Sequence, residues 1–177
     1  TLFQINDIMP TFGQLYDYES MNQHGVIPNG YLWRSVNDAK NGGTVWMAYD
    51  SIDGTWLFNE TNVPSGTTVY GPNGEILIYQ LNVANKWLAL WNNTAAEQLA
   101  GGTGTGSAVF QGRPVGKNVK ASAAYSWNKT ISSLPAGSTI REIIHDDLML
   151  VSTATQIGGT TSAQQSIDYT ITAISLK

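Results

Sequence analysis

The residues that could do chemistry are few and scattered. His145-Asp146-Asp147 is the densest ionisable cluster, and an imidazole beside two carboxylates could serve as a metal corner or a general base. In a strand, neighbouring side chains point to opposite faces, so these three cannot converge without further ligands, and the only other histidine is His24. A solvated strand entrance is the simpler reading. The run Asp50-Ser51-Ile52-Asp53-Gly54 has the look of an oxygen-rich cation loop. Calcium, however, takes about six to eight oxygens, and two carboxylates ahead of a glycine suit a tight turn better. GGTGTG, Gly101 to Gly106, is glycine-rich enough to wrap a phosphate, but no clear strand-to-helix junction frames it. Trp33, Trp46, Trp56, Trp87, Trp91 and Trp127 could offer stacking faces to a sugar, which keeps a carbohydrate-binding module among the readings. All six lie in strand-like patterns, where packing between sheets is the default use of an indole. No catalytic residue and no metal ligand follows from these patterns.

The elements that would have to position such residues are foreshadowed by composition. Of the 177 residues 42% are hydrophobic and only 12% charged, against roughly 25% charged in an ordinary domain. Polarity comes instead from Asn, Gln, Ser, Thr and 18 Gly, a mixture that favours strands and turns over long helices. The formal net charge of -4, with no basic cluster to offset it, argues against nucleic acid as a partner. The absence of cysteine excludes a disulfide framework, a thiolate metal site and a thiol nucleophile. No apolar run approaches the roughly 20 residues that cross a bilayer as a helix. The chain opens with Thr1 rather than Met, as expected of a processed product or a segment of a longer parent.

Alternation with period 2 recurs in short runs bounded by Gly, Asn, Pro or Asp. The runs are YLWRS (31–35), TVWMAYD (44–50), TWLFNET (55–61), EILIYQLN (75–82), KWLALWNN (86–93), AAYSWNKTI (123–131), DLMLVST (147–153) and DYTITAISL (168–176). Hairpin signals sit between them at Asn29-Gly30, Asp53-Gly54 and Asn73-Gly74. Residues 94–101 predict one or two helical turns, and 94–123 as a whole reads as a Gly-rich insertion within a single domain spanning 1–177. The runs fall into an ordered set of three strands, then three, then two. That order predicts an all-β fold of antiparallel sheets arranged as consecutive β-propeller blades, about three to four and incomplete, since a blade takes roughly 40–50 residues.

AYDSIDGTWLF, Ala48 to Phe58, resembles the A-x-D-x-x-T-G-x-x-x-W signature of pyrroloquinoline-quinone-type β-propeller repeats. Ala48, Asp50 and Gly54 are in place, Asp53 stands where Thr is usual, and Phe58 stands where the docking Trp is usual. ALWNNTA (89–95) keeps the Ala and Thr, with Trp91 for the Asp, and the terminal AISLK keeps Ala173 and then runs out. GQLYDYESMNQHGVIPNGYLW and VPSGTTVYGPNGEILIYQLN are similar to stretches of large secreted propeller proteins of archaeal type. The resemblance implies that Ala48, Asp50, Asp53, Gly54, Phe58, Trp91 and Ala173 serve blade packing and turns. It also implies an extracellular or cell-surface location, where the sequons at Asn59, Asn92 and Asn128 become glycosylation candidates. A chain this rich in Asn, Ser and Thr produces about as many sequons by chance.

Two function classes follow. The first is a non-catalytic extracellular propeller segment acting as a structural or binding module, with no cofactor. The second is part of a quinoprotein dehydrogenase, which would bring pyrroloquinoline quinone and calcium. Such enzymes are expected to carry a metal-binding carboxylate set and often a vicinal cysteine pair, neither of which is recognisable in this sequence. DYTITAISL alternates without a cleanly polar face, so it reads as a strand that expects neighbours on both sides. The expected partner is the rest of a longer parent propeller or another copy of the chain, for example its N-terminal TLFQINDI, through edge-strand pairing.

Overall fold

Runs rich in Val, Ile, Thr, Trp and Tyr pair into sheets because branched and aromatic side chains fill a pleated surface, while Gly, Asn and Asp between them permit the reversals. The computed structural model describes residues 4, 6, 8–15, 30–38, 40, 43–101, 114–158 and 165–177. The fold is all-β, built as three sheets that follow one another along the chain and do not close into a barrel among the described residues. β1 (Phe12–Leu15), β2 (Gly30–Asp38), β3 (Gly43–Asp50) and β4 (Trp56–Thr61) form an antiparallel meander. β5 (Thr67–Tyr70), β6 (Ile76–Asn82) and β7 (Trp87–Asn92) begin the second sheet, and α1 (Asn93–Gly101) follows β7. β8 (Asn118–Lys120) then joins the first sheet, and β9 (Tyr125–Thr130) returns to complete the second in the order β5-β6-β7-β9. The third sheet comprises β10 (Thr139–Ile144), β11 (Leu148–Gly158) and β12 (Gln165–Ser175) in that order.

The three expected strand sets become the three sheets, and each gains a strand in front: β1, β5 and β10. FGQL and TTVY are only four residues long, too short for alternation to register, and in TIREII a shift in pairing between Ile140 and Glu142 breaks the period. β8 departs further from expectation. It lies inside the predicted Gly-rich insertion yet pairs in parallel with β4, Glu60 opposite Val119, so the excursion from the second sheet clamps onto the edge of the first.

Burial explains the sequence pattern of the middle sheet. One face of the first sheet, carrying Tyr31, Trp33, Trp46, Ala48 and Phe58, packs on Ile76, Ile78 and Trp91 of the second. The opposite face of the second sheet, with Leu77, Tyr79, Leu88 and Leu90, packs on Ile143, Met149, Val151 and Leu176 of the third. A strand buried on both faces needs apolar residues at every position, which is why ILIY and LALW are continuous rather than alternating. Trp46 and Trp91 meet edge to face across the first interface, ring centroids 5.7 Å apart. Trp33 and Phe58 make a similar T-shaped contact at 5.6 Å within the first sheet.

Register exposes a repeat that the signature alignment misplaces. In the first sheet Ala48 pairs with Phe58 and Tyr49 with Trp56, so Leu57 is the extra residue of a bulge. In the second sheet Leu90 pairs with Trp127 and Trp91 with Tyr125, so Ser126 is extra in the same way. WLFNET and YSWNKT are thus equivalent fourth strands, and Leu90, not Ala89, stands where Ala48 stands. Ala89 sits beside Trp91's face and points back at the first sheet. The equivalent of Asp50 is Asn92, not Trp91: Asp50 Oδ1 accepts the Ile52 N–H at 2.8 Å, and Asn92 Oδ1 accepts the Thr94 N–H at 2.9 Å. The same side-chain turn leads to a hairpin in one repeat and caps a helix in the other.

Truncation of the fully buried Trp33 or Phe58 to Ala is expected to cost about 3–5 kcal/mol, whereas Trp56→Ala, at a partly exposed position, is expected to cost below about 1 kcal/mol. Urea unfolding followed by circular dichroism checks the difference; equal midpoints for the three variants would contradict the assignment of the core.

Candidate functional site

The oxygen-rich turn is occupied by its own backbone. Asp50 accepts the Ile52 N–H as above, Asp53 Oδ1 accepts the Thr55 N–H at 2.8 Å, and the Gly54 N–H donates to the Asp50 carbonyl at 2.9 Å. Gly54 takes φ +74°, a left-handed conformation that a side chain would strain. These residues build a hairpin between β3 and β4.

A polar cluster that the sequence reading missed lies between the first two sheets. Gln14, facing inward from β1, accepts the Trp33 indole N–H at 2.8 Å and exchanges amide hydrogen bonds with Asn93 at the start of α1. Asn93 Oδ1 also accepts the Ile76 N–H at 2.7 Å, and its amide donates to Glu97 at 3.1 Å; Tyr31 donates its hydroxyl to the same carboxylate at 3.3 Å. Glu60 completes the group. It is fully buried, and neither carboxyl oxygen has a hydrogen-bond partner. Burial, with a smaller contribution from the charge of Glu97, pushes its carboxyl well above the ordinary 4.5. The signal was present in the sequence: Glu60 stands two residues beyond Phe58, on the face that turns inward.

A raised, enclosed carboxyl has the protonation of a general acid, but Glu60 and Glu97 are 0% and 5% exposed, so no substrate reaches them in this state. Quinone and calcium would need an accessible convergence of several oxygens. Among the described residues no group of three or more His, Asp or Glu is placed to hold a metal ion.

His145-Asp146-Asp147 is a turn between β10 and β11 rather than a strand entrance, with Asp146 at φ +58°. His145 Nε2 faces Asp146 Oδ2 at 3.3 Å, and its Nδ1 lies 2.8 Å from the Tyr79 hydroxyl. With Nε2–H donating to Asp146, the hydroxyl proton of Tyr79 points at Nδ1 in a hydrogen bond. The phenol is pushed up to about 12, chiefly by burial and then by the Asp146 charge, so it keeps that proton. Asp147 turns instead to Lys177 at 2.7 Å. The cluster is a corner that ties the second sheet to the third. His24 and residues 102–106 of the glycine run lie outside the described residues.

The glycosylation candidates occupy unlike settings. Asn128 is exposed on β9. Asn59 donates its amide to Asn118 Oδ1 at 2.9 Å and accepts the Trp56 indole N–H, in the seam between β4 and β8. Asn92 is spent on capping α1, and the Thr94 hydroxyl of its sequon is buried without a partner. Trp33, Trp46 and Trp91 are core residues, while Trp56 is the most exposed of the six at 41%.

Ala173, opposite Leu150, is exposed, and so is the rest of its face: Ile167, Tyr169 and Ile171 are 56%, 63% and 70% accessible. A cleft of about 460 Å³ runs beside the same strand, lined by Leu88, Trp127, Leu134 and residues 172–177. This open apolar strand with its cleft is a surface on which the described residues could bind something. No protein-family model matches the chain, and no curated protein or solved structure is significantly similar to it.

Glu60 yields a pH prediction. A carboxyl whose folded value is raised stabilises the fold fully below its unfolded value and loses that contribution as pH rises through the folded value. Stability is therefore expected to fall as pH climbs above about 4.5, and Glu60→Gln is expected to flatten that decline and raise the melting temperature by several degrees near neutrality. Thermal unfolding of both proteins from pH 4 to pH 8 checks this; parallel curves would exclude Glu60 as the titrating group.

Proposed function

We propose that this chain is a non-catalytic β-propeller segment of an extracellular or cell-surface protein, acting as a structural or binding module. The observation that carries the reading is the repeated unit itself: a five-stranded and a four-stranded sheet that share a core of four antiparallel strands with the same bulge and the same aromatic-x-aromatic-Asn-charged-Thr fourth strand, stacked face to face and followed by a third sheet. Consecutive four-stranded sheets packed in this manner are the way propeller blades follow one another. The low charge and the abundance of Ser, Thr, Asn and Gly suit an exported scaffold, as does the resemblance of AYDSIDGTWLF to secreted propeller repeats. The carboxyl that burial pushes up, Glu60, is sealed between sheets, which favours a scaffold over an enzyme.

The test has two readouts. Protein incubated with pyrroloquinoline quinone and Ca²⁺ is expected to retain no quinone absorption band after gel filtration and to reduce no dye; Ca²⁺-dependent dye reduction would overturn the non-catalytic reading. Material from the native source is expected to carry glycan at Asn128 and not at Asn92, because the latter's side chain is held in the cap of α1 and its Thr94 hydroxyl is buried. Intact and peptide mass spectrometry decides it, and a bare polypeptide mass would remove the glycan from the proposal.

A further inference from the structure

In the first two sheets the third strand is flanked on its outer side by a strand of one recurring pattern. WLFNET pairs with β3 and YSWNKT with β7, antiparallel and with the bulge at the same place. In the third sheet β12 occupies the third position, and among the described residues nothing pairs with its outer edge. That edge lacks the usual protections. β11 and β12 pair over eleven consecutive residues without a register shift, so no bulge twists β12 away. β12 contains no proline and no lysine, and Asp168 is its one charge.

Resting on the propeller-segment reading, we propose that β12 is a docking edge for an extended strand of the aromatic-x-aromatic-Asn-charged-Thr type, supplied by a separate polypeptide. The surroundings fit that occupant. A strand added antiparallel to β12 lays alternate side chains over Ile167, Tyr169, Ile171 and Ala173, which are open to solvent, and aims the others at the cleft lined by Leu88, Trp127 and Leu134. In the second sheet the aromatic of the equivalent strand already makes this kind of contact: Trp127 meets Tyr79 edge to face at 5.9 Å. Charge distinguishes the occupant from a second copy presenting its own β12. Each copy has a net charge of -4 and its β12 carries only an Asp, whereas the YSWNKT pattern brings a cation.

The probe is a fluorescently labelled peptide with the sequence of Ala124 to Ser132, AYSWNKTIS, titrated into the intact 177-residue chain and followed by anisotropy. Two further peptides are N-methylated at alternate residues, one at even and one at odd positions. Only one edge of an added strand bonds to β12, so one methylated set is expected to weaken binding at least tenfold and the other to leave it within twofold. No saturable binding, or equal binding of both methylated peptides, overturns strand addition. Light scattering of the chain alone is expected to give a monomer; a dimer dispersed by Tyr169→Lys would instead assign the edge to a second copy. The two failures are separable: a peptide that does not bind removes the docking edge and leaves the scaffold reading to its quinone and glycan tests, while Ca²⁺-dependent dye reduction removes the scaffold reading whatever the peptide does.

Discussion

The structure depends on the second sheet being buried on both faces. Ile76, Ile78 and Trp91 look one way and Leu77, Tyr79, Leu88 and Leu90 the other, so removing either neighbouring sheet would leave an apolar surface in water. At roughly 25 cal/mol per Å² of apolar area, stacking two sheets on one central layer is the largest favourable term available to a chain without disulfides. Tyrosines and tryptophans in the interfaces, such as Tyr31 and Trp33 at a ring separation of 5.4 Å, fill the wide space between sheets that aliphatic residues would leave partly void.

That burial creates a problem which the polar cluster between the first two sheets only partly solves. Gln14 and Asn93 satisfy one another, the Trp33 indole and the Ile76 amide, so the start of α1 is held against both sheets by hydrogen bonds that have no competitor water. Glu60 is the exception. An unpartnered carboxyl in such a place stays bound to its proton because the charged form has nothing to solvate it. The clamp of β8 on β4 encloses it, since Val119, directly opposite Glu60, is buried as well.

The third sheet, like the first, packs on the second through one face, and it differs from both in having no strand outside its third one among the described residues. Its inner face is held by Met149 and Val151 and by the Tyr79–His145–Asp146 corner, which fixes the sheet's position without covering its outside. In the far halves of β11 and β12 the side chains are exposed on both faces, so the pairing of the two strands is chiefly by backbone. A long, regular two-stranded ribbon of this kind is only marginally stable by itself.

The sequence by itself determined the strands that alternate or run apolar for six residues or more, their grouping into three sheets, the turn at Asp53-Gly54 and the short helix before Gly101, because each depends on neighbours a few residues away. It did not determine β1 and β5, whose four residues carry too little pattern, or the parallel seating of β8. Nor did it reveal that Glu60, read as part of a sequon, faces a second carboxyl at Glu97. The alignment of Ala89 with Ala48 failed for the same reason: residue identity suggested one register, and the bulges at Leu57 and Ser126 set another. Only the tertiary structure decided these points, because a side chain's direction and its partner across an interface are fixed by pairing between segments far apart in the chain, and a shift of one residue turns every side chain to the opposite face.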